Sequence, residues 1–204
     1  MTASSPTYPT NLRFDRDQPV SRLWGIPILG IAVRALLLLP HYFVLWLYSM
    51  LVGLTLLIVW VPVLATGRYP EWGYRIVGGY YRWSLRVTAY QLMMVAPYPP
   101  FSSLPGYPVE VDFDRSLTID RLWGIPLLGM LARVFLAIPH AIVLWAVGML
   151  VGFVGFWLWV PILLFGRFPQ LGYELIGGYM RWQFRVTAWL LLIPAPYPPF
   201  RLAE

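Results

Sequence analysis

Residues 35–67 read ALLLLPHYFVLWLYSMLVGLTLLIVWVPVLATG, and residues 134–166 read VFLAIPHAIVLWAVGMLVGFVGFWLWVPILLFG. Each is a run of 33 residues without Asp, Glu, Lys or Arg, bounded by Arg34 and Arg68 in the first case and by Arg133 and Arg167 in the second. A straight helix of that length measures about 50 Å, against about 30 Å for the hydrocarbon core of a bilayer. The run is too long for one ordinary span and too short for two full ones. What it becomes decides the fold.

The two runs belong to a repeat with a shift of 99 residues. RLWGIP at 22–27 returns at 121–126, Pro40-His41 at Pro139-His140, GRYP at 67–70 as GRFP at 166–169, and PYPPF at 97–101 at 196–200. About half of the aligned positions are identical and no gap is needed. A fixed period of this quality takes precedence over any other fold signal. It divides the chain into a first membrane repeat (1–101), an SSLPG linker (102–106) and a second membrane repeat (107–204).

Composition sets the class. The chain is 59% hydrophobic and 12% charged, about half the charge of an ordinary soluble domain. This reads as an all-α integral membrane protein of two same-orientation tandem repeats. There is no cysteine, which excludes disulfides, thiolate metal sites and CxxCH haem attachment. The opening segment has no basic region followed by an apolar core and does not read as a secretory signal peptide. The net charge is +6 and every basic residue is arginine. The arginines are threaded between apolar stretches and form no basic tract, so no nucleic acid partner is expected.

Symmetry constrains the topology. Both repeats carry nearly the same charges at the same places, so the positive-inside rule gives them one orientation. A single crossing per repeat would invert the second. The expectation is therefore a transmembrane or re-entrant hairpin in each repeat, with tips near Ser49–Gly53 and Gly148–Gly152. The rival is one long tilted span over 35–66 with a return span over 71–95, which would bury Arg82 and Arg86 at a cost. Arg75, Arg82 and Arg86, spaced by seven and four, share one face of a helix, which suits an amphipathic interfacial helix. TNLRFDR and VEVDFDR alternate as short strands, one per repeat, able to pair and clasp the two.

The order YP, RL, Pro-His, GRYP, RW and YPPF resembles an uncharacterised bacterial integral-membrane family, catalogued as a domain of unknown function. In the second repeat the signature stands at Tyr107-Pro108, Arg121-Leu122, Pro139-His140, Gly166-Arg167-Phe168-Pro169, Arg181-Trp182 and Tyr197-Pro198-Pro199-Phe200. Phe168 replaces the usual tyrosine, and Trp189 stands where the first repeat has Tyr90. The resemblance covers the chain twice and implies a multi-pass protein of the bacterial plasma membrane. It imports no activity.

The chemistry-bearing residues are few. His41 and His140, the two histidines of the chain, could ligate a haem iron or chlorophyll-type magnesium; the plainer reading is a hydrogen-bonded ring at a proline kink. Arg68, Arg82, Arg86, Arg167, Arg181 and Arg185 are the candidates for binding lipid phosphate or another anion. The plainer reading makes the arginines anchors, paired with Asp15, Asp17, Asp112, Asp114 and Asp120. No catalytic motif stands out, no metal site is expected, and Glu71 is replaced by Gln170 in the second repeat. The functional expectation is a non-enzymatic membrane scaffold or accessory subunit, with membrane lipids and a larger membrane complex as partners and its charged residues and termini cytoplasmic. A haem or pigment subunit and a lipid or small-solute transporter are the alternatives.

Overall fold

The computed structural model describes residues 8–15 and 19–203. Asp17 lies outside them. In the first repeat, strand β1 (Thr10–Phe14) and a 3₁₀ turn (Arg22–Gly25) lead into α1 (Leu29–Leu37), α2 (Leu39–Thr66) and α3 (Glu71–Gln91). In the second, β2 (Val109–Phe113) and a 3₁₀ turn (Arg121–Gly124) lead into α4 (Leu128–Trp157) and α5 (Trp159–Phe165). Then α6 (Gln170–Gly172) runs through a π-helical turn (Tyr173–Gly177) into α7 (Gly178–Leu190).

The hairpin expected inside each apolar run does not form. α2 continues unbroken through Ser49–Gly53, and α4 through Gly148–Gly152. The physical reason is that glycine permits a turn without compelling one, and the surrounding leucines favour helix. Each run ends where a glycine takes the left-handed conformation: Gly67 at φ 68° and Gly166 at φ 65°, each donating its N–H 2.8 Å to the carbonyl of Val63 or Ile162. The helical hairpin is instead α2 with α3. Trp83 contacts His41 and Tyr48 contacts the Ile76 carbonyl, so α3 returns antiparallel along α2.

α2 buries one stripe, His41, Leu45, Val52, Thr55, Val59 and Val63, the 3-and-4 spacing of a single contact face. The rest faces outward: Phe43, Trp46, Leu54 and Leu57 are each 56–70% exposed. The two long runs, Leu39–Thr66 and Leu128–Phe165, are long and apolar enough to cross a membrane, and 22% of the most apolar window of each is buried.

The strands pair, as their alternation suggests. β1 and β2 are antiparallel, with Leu12 opposite Val111. These residues are equivalent under the shift of 99, so a pseudo-twofold axis passes through that pair. The bonds flanking it come in duplicate: Asp15 N–H to the Pro108 carbonyl (2.8 Å) and Asp114 N–H to that of Pro9 (2.9 Å). Further out, Val20 donates to Gly166 (3.0 Å) and Ile119 to Gly67 (2.8 Å). Each N-terminal arm therefore packs on the helices of the other repeat. β2 lies on α3, β1 on α7, the first 3₁₀ turn on α5 and the second on α2.

This exchange fixes the direction of the long helices. Gly25, ahead of α1, abuts Leu163 near the end of α5, and Gly124, ahead of α4, abuts Leu64 near the end of α2. Two rods of about 57 Å, each starting where the other finishes, must run in opposite directions. The same-orientation reading thus cannot be combined with membrane-crossing long helices.

A Cβ on Gly124 would lie 2.7 Å from the Leu64 nitrogen, whereas one on Gly53 or Gly152 would have nothing within 4 Å. Gly124→Ala should destabilise by about 1–3 kcal/mol through overpacking. Gly53→Ala and Gly152→Ala should stabilise by about 0.5–1 kcal/mol, because they replace glycine within an open helix face. Thermal unfolding in detergent checks both signs. A loss of stability at Gly53 would restore a turn there.

Candidate functional site: a buried arginine and histidine framework

Four of the six candidate arginines lie under the sheet. Arg82 donates through Nε to the Val111 carbonyl (3.2 Å), and Arg86 to those of Val109 (3.3 Å) and Ser102 (3.1 Å). Arg181 donates to Leu12 (2.9 Å), and Arg185 to Arg201 (3.4 Å) and Ala203 (2.6 Å). Aromatic rings of the arms cover the guanidiniums: Phe113 over Arg82, Tyr107 over Arg86, Phe14 over Arg181 and Tyr8 over Arg185. Arg82, Arg86 and Arg181 hold each exchanged strand to the helix beneath it through charge-assisted bonds, and Arg185 holds the C-terminal segment. Arg68 and Arg167, by contrast, are exposed. They follow the glycines that end the long helices, and Gly67 and Gly166 in turn lie against Arg121 and Arg22 of the arms.

The acidic partners are more varied than sequence suggests. Arg13 pairs with Asp112 at 2.8 Å and Arg115 with Glu71 at 2.5 Å, both pairs exposed. Asp114 accepts from Ser116 and Asp120 from the Leu122 N–H, so these two shape turns. Ser116 holds the Asp114 carboxyl below its usual range. Burial pushes the Tyr8 and Tyr107 phenols well up, which keeps them as donors to the carbonyls of Pro196 (2.7 Å) and Pro97 (2.8 Å).

Arg34 and Arg133, left out of the candidate set, are together with Arg86 the most enclosed cations among the described residues, at 0% and 1% exposed. Arg34 sits between the rings of Trp24 (4.6 Å) and Tyr90 (4.1 Å) and donates to the carbonyls of Tyr90 and Val95. Arg133 repeats this between Trp123 (5.0 Å) and Trp189 (4.7 Å), with a bond to the Trp189 carbonyl. Each reaches carbonyls at the C-terminal end of a helix, where a cation is favoured by the helix dipole. Arg133 also lines a half-open cavity of 720 Å³ with Trp123, Leu136, Trp189 and Tyr197. The sequence signal was available: Trp24 and Trp123 stand ten residues before these arginines in both repeats.

The histidines close the remaining motifs into one cluster. Trp83 Nε1 donates to His41 Nδ1 and Trp182 Nε1 to His140 Nδ1, both at 3.0 Å. The YPPF segment folds back onto each ring: Phe101 stacks on His41 at 3.8 Å and Phe200 on His140 at 3.9 Å. Tyr98 and Tyr197 donate to the carbonyls of Leu37 (2.8 Å) and Leu136 (2.9 Å), next to the carbonyls that Pro40 and Pro139 leave without a helical partner. With Nδ1 accepting, the neutral ring carries its proton on Nε2, and that buried nitrogen has no partner among the described residues. Neither nitrogen then offers a free lone pair to a metal.

Residues 29–103 and 128–201 both match the family model described as a domain of unknown function (DUF4389). The chain belongs to this family. Together the two matches cover more than half of it, and their positions agree with the tandem duplication. Each match begins with the first residue of α1 or the first of α4 and extends past YPPF, leaving the exchanged arms outside. No curated protein and no solved structure matches the chain.

Trp83→Phe should destabilise by about 1–3 kcal/mol, because it leaves a buried Nδ1 acceptor unsatisfied. Adding His41→Leu, which removes the acceptor, should recover part of that loss. A double-mutant cycle read by thermal unfolding checks the coupling.

Proposed function

We propose that this DUF4389 chain is a non-enzymatic membrane scaffold or accessory subunit, held by lipid on its long helices and engaging phosphate headgroups or a partner membrane complex through its exposed arginines. The observation that carries this reading is the outward apolar surface of the two long runs, each with 22% of its most apolar window buried. Soluble monomers rarely expose a contiguous apolar patch above a few hundred Å². Lipid is the cover that requires no further chain.

The headgroup contacts belong to Arg68 with Arg121 and to Arg167 with Arg22. These side chains are exposed and flank the ends of the apolar runs, where arginine reaches the headgroup zone readily. Arg82, Arg86 and Arg181 serve the sheet instead, and Arg185 the C-terminal segment. The non-enzymatic reading is supported by the use of the buried arginines, which bond to backbone carbonyls and stack on aromatic rings. The pigment alternative loses support from the tryptophan-bonded histidines. The location proposed is the bacterial plasma membrane, with the charged side cytoplasmic.

Fractionation tests the reading. The protein should remain with membranes after alkaline carbonate washing and should purify with bound phospholipid visible by mass spectrometry. The quadruple variant Arg22→Gln, Arg68→Gln, Arg121→Gln, Arg167→Gln should keep less anionic lipid. A protein recovered in the carbonate supernatant would overturn the membrane assignment, and a visible absorption band lost with His41→Ala would favour the pigment subunit.

A further inference from the structure

We propose that the long helices lie along the membrane within one leaflet rather than across it, with the pseudo-twofold axis along the membrane normal and the sheet facing water. The inference rests on the membrane reading above and names its surface: the side of the helical layer opposite the sheet, covered by acyl chains of a single leaflet.

The charges of α3 locate the wet side. At about 100° per residue, Glu71, Arg82, Arg75 and Arg86 fall within an arc of about 60°. That arc faces β2, which accepts from Arg82 and Arg86, and Arg115, which pairs with Glu71. The opposite side carries Tyr80, Ser84, Thr88 and Gln91, all uncharged, with the Ser84 and Thr88 hydroxyls bonded to the carbonyls of Tyr81 and Ser84. The equivalent side of α7 carries Tyr179, Gln183 and Thr187, and Arg181 again lies toward the sheet.

The sheet sits near mid-length of the long helices. The axis passes through Leu12 and Val111 and relates two rods whose ends meet, Gly25 against Leu163 and Gly124 against Leu64, so it crosses them midway between those ends. Beside that axis the Arg13–Asp112 pair is 64% and 57% exposed. Helices crossing the bilayer would therefore hold this exposed pair near the midplane, where charged side chains are costly. Crossing would also place Arg22 and Arg167 at one surface and Arg68 and Arg121 at the other, which gives no positive-inside bias. Finally, an uncharged run of about 50 Å fits a core of about 30 Å at a tilt above about 50°, outside the usual range of about 0–40°. Lying flat removes all three conflicts. Both repeats then present the same face to water although their helices run in opposite directions.

The chain has no cysteine, so single-cysteine variants report position directly. Arg68→Cys, Arg167→Cys, Asp112→Cys and Trp46→Cys would be treated with a membrane-impermeant maleimide in right-side-out and inside-out vesicles of an expressing bacterium. The first three should label from the same side, and Trp46→Cys should label after detergent is added. Labelling of Arg68→Cys and Arg167→Cys from opposite sides, or protection of Asp112→Cys on both sides, would overturn the flat placement and leave the membrane reading intact. Labelling of Trp46→Cys without detergent would overturn both. Polarised infrared dichroism of the unmodified protein in oriented bilayers gives an independent reading: an amide I dipole near the membrane plane is expected, and one near the normal would sink the proposal.

Discussion

The pairing of Leu12 with Val111 is the contact on which the rest of the molecule depends. It places one strand of each repeat across the other and so commits both arms to the opposite set of helices. Arg82, Arg86 and Arg181 take up the outward carbonyls of those strands, which as a two-stranded ribbon would be marginal alone. From there the arms run to Gly67 and Gly166 and deliver the starts of α4 and α1 to the ends of α2 and α5. Without the exchange each helix pair would have an open face, and only direct contacts such as Tyr81 on Phe184 and the Tyr173 hydroxyl on the Met94 carbonyl would relate it to its twin.

The same arrangement explains why so many cations are enclosed in so apolar a chain. A guanidinium presents five donors in a plane, so it can satisfy strand or helix-end carbonyls while its faces stack on aromatic rings. Lysine would provide a point charge and no stacking face. The exclusive use of arginine has a structural use at the buried Arg34, Arg86, Arg133, Arg181 and Arg185 and at the half-buried Arg82. The histidine clusters follow a related logic, in which Trp83 supplies a bond, Phe101 a stacking surface and Tyr98 a donor for a carbonyl beside the kink.

What was legible in the sequence was periodic. The shift of 99, the strand alternation and the common face of Arg75, Arg82 and Arg86 all survive in the structure, because each is a local pattern that the backbone obeys directly. The hairpin was not legible, since Gly53 and Gly148 look like a turn but sit in helix whose neighbours favour continuing. The exchange of arms was hidden for a different reason. Two repeats that share their motifs offer similar partners in cis and in trans, and the shared motifs do not distinguish them. The histidine environment fell between these cases: Pro-His, RW and YPPF were each visible, but their convergence needed the antiparallel return of α3.

The opposed directions of the long helices look at first like a contradiction of the charge symmetry. Equal charges at equal places do require the two repeats to be the same way up, and an even number of crossings is one way to achieve it. An inverted pair, as in many transporters, is related by an axis in the membrane plane and carries its halves with opposite charge bias. Here six arginines recur at equivalent positions in the two halves, so that axis is disfavoured. Turning the axis onto the membrane normal satisfies the charges with no crossing at all. It also gives a use to an uncharged run of about 50 Å, longer than the hydrocarbon core is thick but free to lie flat along it.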